Sequence, residues 1–228
     1  MARSFSLVET KVAEADFFLT KLREAQLDFF AARCYFGALI SSARSITFAL
    51  QAVMADEPHF SNWYAERQTQ LRGDSVCNYF HHARRLDQHI GMNSLSGGRF
   101  TRDEVSELRV VYHLATADDR EGLPNPPEVD AVAACHQYFE TLLKIVFDCC
   151  SDFRLAIDAK VWFSKQNFEE MGQTIGDAEE EIFGVRGWTA APGLSEDARW
   201  QLLRNSVRSH DFGKLLTSHA ESRVTERR

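Results

Sequence analysis

The chain has little of what would make it a disulfide-bonded, membrane-spanning or nucleic-acid-coating protein. Its 228 residues hold five cysteines, Cys34, Cys77, Cys135, Cys149 and Cys150, an odd number without a CxxC pair. That count fits buried thiols in a reducing compartment better than a disulfide frame. Proline is scarce at 5, while 17 phenylalanines in a chain that is 44% hydrophobic exclude disorder over most of the length. Positive charge is in deficit, with 26 Lys and Arg against 33 Asp and Glu for a net charge of −7. A general nucleic-acid-coating protein would carry a broad basic surface instead. The N-terminus MARSFSLVETKVAEADFF has no apolar signal core, and no apolar run approaches the ~20 residues of a membrane span. A soluble cytoplasmic protein with no membrane partner is expected. There is no internal repeat, P-loop, dinucleotide fingerprint or GxSxG elbow, so no cofactor is expected either.

What the chain does have is helical periodicity. Leu7, Val8, Val12, Ala15, Phe18, Leu19 and Leu22 recur at helical spacing and predict an amphipathic helix over 7–27. Residues 29–54 are apolar or small nearly all round, which places that helix at the centre of a bundle. Gly37, Ala38, Ser41, Ser42 and Ser45 would let its neighbours approach closely. Arg44 is the sole charge between Arg33 and Asp56, and it is expected to reach a carboxylate or the bundle rim. A short helix follows Pro58, and with the next segment makes four helices, the expectation for an antiparallel bundle.

From residue 90 to 127 glycine and proline break the pattern, and residues 104–117 read slightly more as helix than as strand. Residues 128–171 contain neither Gly nor Pro, and apolar residues from Val129 to Ile157 alternate at spacings of three and four, the seam of a long helix. His136 falls within that seam, as a hydrogen-bonded core histidine. An unbroken helix of this length would span about 65 Å, so a break near Ser151 or Ser164 is expected. Residues 172–194 read as loop, and Ser195 with Glu196 and Asp197 as the cap of a last helix to about His210. The division expected is a helical bundle over 1–95, an irregular connector over 96–127 and a helical extension over 128–220, the whole all-α.

Residues 73–91, GDSVCNYFHHARRLDQHIG, are the richest in chemistry. At 100° per residue Val76, Phe80, Ala83, Leu86 and Ile90 share a face, and Asn78, His81, His82, Arg85 and His89 the opposite one. Asp87 points toward the apolar stripe and needs a partner, for which Arg84 or Arg44 is available. Gly91 suits the left-handed residue that ends the helix. Asp74, Cys77 and His81 are spaced three and four apart, but one thiol, one imidazole and one carboxylate leave a metal site incomplete, and no metal is expected. Helical faces also carry such charges simply as a solvated or ion-paired surface.

A small-residue-rich central helix, Phe60, Trp63 and Tyr64 in an F-x-x-W-Y segment, and a helix carrying Arg84-x4-His89 together resemble the HEPN superfamily over residues 7–91. The resemblance implies an all-α bundle, commonly a dimer. It also implies a metal-independent ribonuclease of toxin–antitoxin, defence or RNA-processing type, or a non-catalytic member that binds nucleotides or partner proteins. Under it Arg84 and His89 are the catalytic pair, with Arg85, His82 and His81 as RNA contacts, and a protein antitoxin or helical partner is a further expectation. The residue after the motif arginine is usually Asn or another uncharged or acidic residue in that family; here it is Arg85. A second Arg-to-His match, Arg204 to His210, has Asn205 at that place, but His210 continues the Trp200, Leu203, Val207 stripe and reads as a packing residue.

Overall fold

The computed structural model describes residues 4–102 and 108–207. Among them are ten helices and one two-stranded sheet, and the chain divides into two compact units near residue 146, inside the fifth helix.

The first unit starts with α1 (Ser6–Glu24) and α2 (Phe29–Val53). Val8, Val12, Ala15, Leu19 and Leu22 of α1 are buried at alternating spacings of four and three, the stripe read from the sequence. Asp28 caps α2 by accepting from the Ala31 N–H at 2.9 Å. By length and composition alone α2 is long and apolar enough to cross a membrane, where the sequence reading found no run of that length; half of its apolar window is buried in this unit. The chain continues through α3 (Phe60–Gly73) and α4 (Ser75–Ile90). Gly37 of α2 lies under α4, where an added Cβ would stand 3.4 Å from both Asp87 carboxylate oxygens. Ser41 accepts from Gln88 at 2.9 Å, so the small residues do serve close approach.

Residues 95–102 and 108–114 correct the all-α expectation. They pair antiparallel as β1 (Leu95–Arg102) and β2 (Leu108–Leu114), the second lying in the stretch 104–117 where the sequence reading leaned slightly to helix. Val110, Val111 and Tyr112 are β-branched or aromatic, residues that fit a pleated surface. Gly98 faces Tyr112 across the hairpin, and a Cβ there would come within 2.8 Å of Val110. The Tyr112 hydroxyl donates to the Gln26 carbonyl in the α1–α2 loop, and the Tyr79 hydroxyl of α4 donates to the Ala115 carbonyl at 2.9 Å. These two tyrosines tie the hairpin to the bundle. Then α5 (Ala131–Asp152) brings Tyr138 against Phe80, rings stacked 4.8 Å apart.

The long helix stops at Asp152, and three short helices follow: α6 (Arg154–Ile157), α7 (Ala159–Trp162) and α8 (Lys165–Glu170). Ser164 caps α8 through the Asn167 N–H at 3.3 Å, so both expected breaks occur. His136, expected as a core residue, is half-buried and lies 3.6 Å from the Glu140 carboxylate. In the second unit, the stretch read as loop contains α9 (Ile175–Phe183), opened by a capping box between Thr174 and Asp177. Ser195 caps α10 (Glu196–Ser206), accepting from the Ala198 N–H at 3.3 Å. Phe168, Ile175, Ala178, Trp200 and Leu203 form this unit's core. His210 lies outside the described residues.

Candidate functional site

The site is built on α4, and the ends of that helix are fixed locally. Asp74 accepts from the Cys77 N–H at 2.8 Å. Gly91 takes a left-handed φ of 69°, with its N–H on the Asp87 carbonyl at 3.1 Å and the Met92 N–H on the Leu86 carbonyl at 3.3 Å. Between them Cys77, Tyr79, Phe80, Ala83 and Leu86 are buried. The buried arc is thus wider than the expected stripe and stops short of Ile90, which is 60% exposed.

Asp87 is half-buried, and its partner is neither Arg84 nor Arg44. The Asn93 side chain donates to it at 3.4 Å. Burial raises its carboxyl above the usual range, opposed by the Asn93 hydrogen bond and the charge of Arg33.

Arg84 and Arg44 instead share an aromatic ring. The Arg44 guanidinium lies 4.6 Å and that of Arg84 5.7 Å from the Phe48 centroid. Arg44 donates to the Thr47 hydroxyl at 3.1 Å rather than reaching a carboxylate. Burial and the charge of Arg44 lower the pKa of Arg84, and its Nε is buried without a partner. Among the described residues no carboxylate pairs with Arg44, Arg72, Arg84 or Arg85, which leaves a local excess of positive charge on an acidic chain.

The three histidines of α4 have different surroundings. His81 is exposed enough to meet solvent, yet burial of part of its ring and the charges of Arg44, His82, Arg85 and Arg84 lower its pKa, which keeps the imidazole neutral near pH 7. His82 meets it edge to face at 5.5 Å and has its Nδ1 buried without a partner. His89 is exposed in the last turn. His89 stands five positions after Arg84, roughly 140° of rotation and 7.5 Å of rise along the helix, so one helix does not aim both at a single phosphate.

A cavity of about 210 Å³ opens between α2, α3, α4 and α5. Arg44, Arg72 and His81 line it together with Gln68, Asn78 and Tyr138. Of the residues picked from the sequence, His81 lines this cavity and His89 does not; Arg84 reaches the same arginine cluster through Phe48. Sequence reasoning missed Gln68, saw Arg72 only as one of several arginines crowding one stretch of the chain, and took Arg44 for a structural charge. Cys77 is also in the wall, and burial pushes its thiol up to about 12, so it stays protonated. Asp74, Cys77 and His81 gain no further ligand: among the described residues no three His, Cys, Asp or Glu side chains gather as a metal set would require. No family model, curated protein or solved structure matches the chain.

Proposed function

We propose that the first unit is a HEPN-like bundle that binds RNA on the cationic face of α2 and α4 and, as a homodimer, cleaves it without a metal ion. The observation that carries this reading is the arginine cluster. Arg44 and Arg84 stand on one ring, with Arg85 beside them on α4 and no carboxylate paired to any of the three among the described residues. Partly desolvated cations without counter-charges gain most from a polyanion, and a phosphodiester supplies one.

Cleavage needs a group to take the proton from the ribose 2′-OH, one to protonate the leaving oxygen, and positive charge on the phosphate in flight. Arg84 is assigned the phosphate and His89 the proton transfer, with Arg85, His82 and His81 as contacts to the strand. With roughly 140° between Arg84 and His89 on one helix, the dimer that the HEPN resemblance implies would let the His89 of one copy meet the Arg84 of the other. Toxicity to a host cell and neutralisation by an antitoxin protein are the biological setting proposed.

Purified wild-type protein is expected to cut single-stranded RNA in the presence of a chelator. His89→Ala and Arg84→Ala should each reduce the rate by ~10²-fold or more at unchanged helicity. A wild type that binds RNA but leaves it intact would remove the enzyme and favour the non-catalytic, partner-binding reading.

A further inference from the structure

We propose that the cavity between α2, α3, α4 and α5 receives one unstacked nucleotide of single-stranded RNA, the base inside and its phosphate on Arg44 and Arg72. This rests on the RNA-binding reading above and adds a base-reading pocket to it. Its volume of about 210 Å³ lies below the ~300–1,000 Å³ typical of pockets for whole drug-sized ligands, so it suits a single ring rather than an entire cofactor. Two walls are apolar, from Leu71 and Leu142. A third is Tyr138, held rigid by its stack on Phe80 at 4.8 Å, and a fixed apolar and aromatic wall suits a flat ring.

The polar groups match a base edge. Gln68 and Asn78 both line the cavity, and neither side chain makes a hydrogen bond among the described residues. A free carboxamide offers a donor and an acceptor side by side, the pattern that pairs with the edge of a nucleobase. The lining contains no carboxylate, which disfavours a cation, while Arg44 and Arg72 supply two unpaired positive charges for the phosphate. A base can enter only when it is out of its stack, so the ligand is a single strand rather than a duplex.

The test is fluorescence anisotropy with short 2′-O-methyl homopolymers of A, C, G and U, which bind but cannot be cut through the 2′ oxygen. Free nucleoside monophosphates serve as a second arm. Wild type is expected to prefer one homopolymer by tenfold or more. The pair Gln68→Ala with Asn78→Ala should bring the four to within about twofold of one another while binding persists through the arginines. Leu142→Trp, which fills the cavity, should lower the preferred homopolymer to the level of the others. Should Leu142→Trp not fold, the Gln68/Asn78 pair, both half-buried, decides alone. Equal binding of all four by wild type, or a preference that survives the folded variants, overturns the pocket and leaves RNA binding standing. Mononucleotides bound as tightly as the polymers would make it a small-nucleotide site and overturn the proposal. Failure of wild type to bind any homopolymer would defeat the RNA-binding reading itself.

Discussion

Asp87 is half-buried where α4 passes Gly37 of α2, and burying part of a charge there costs free energy. Its carboxyl is held above the ordinary range, chiefly by burial. A raised carboxyl favours the protonated form in the folded state, so its contribution is fully present below the ordinary range near 4 and is lost as pH rises through the raised value. Near neutral pH the ionised group therefore weighs on the fold. Asp87→Asn keeps an oxygen for the Asn93 donor and removes the charge. Its urea midpoint at pH 7 should match or exceed that of wild type, with a gain that fades as pH falls through the raised value and is gone below about 4. A lower midpoint at pH 7 would show that the field of Arg33 outweighs burial. The arginines on Phe48 illustrate the opposite solution, in which cations keep part of their surface wet and share a ring instead of an acid.

Among the elements, α9 holds the second unit through one carboxylate. Glu179 is fully buried and accepts from the Gly187 N–H at 2.5 Å, the Thr189 N–H at 2.9 Å, the Thr189 hydroxyl, and Arg199 of α10 at 2.8 Å. Burial alone would raise its carboxyl; the hydrogen bonds from Thr189, Arg199 and Gly187 outdo burial and draw it down to about 2. A depressed carboxyl contributes stability above its unfolded value, lost as pH falls through the folded one, here between about 4.5 and 2. Glu179→Ala should cost about 3–5 kcal/mol because it strands Arg199. Emission from Trp162, Trp188 and Trp200 during denaturation reads that loss; an unchanged transition would show that the carboxylate is dispensable.

The legibility of these elements followed the range of the forces that make them. Gly91 and Ser195 end and start helices through bonds three to six residues long, and the stripe of α1 repeats within one helix, so all three can be read from the sequence. The hairpin depends on β1 finding β2, and its Val-Val-Tyr run is too short to show a period, so residues 104–117 read only slightly more as helix than as strand. The glycines at 172, 176, 184 and 187 hid α9, and an acidic run gave no sign that Glu179 turns inward. The cavity drew Arg44, Arg72, His81 and Tyr138 from four helices, a placement that only tertiary packing determines.

For the molecule as a whole, a net charge of −7 opposes indiscriminate contact with RNA, so the proposed binding would concentrate where cations lack partners. In the first unit that place is the junction of α2 and α4. On the proposed reading activity would depend on a second copy, because Arg84 and His89 diverge on their own helix. The most direct test mixes two inactive proteins, Arg84→Ala and His89→Ala, lets subunits exchange, and measures chelator-resistant RNA cleavage. A mixed dimer has one intact Arg84 on one chain facing one intact His89 on the other. With random exchange half of the dimers are mixed and each has one complete site, so roughly a quarter of wild-type activity should return. A mixture as inactive as its components, formed from variants that do exchange subunits and from a wild type that cuts, would contradict a site shared across the dimer.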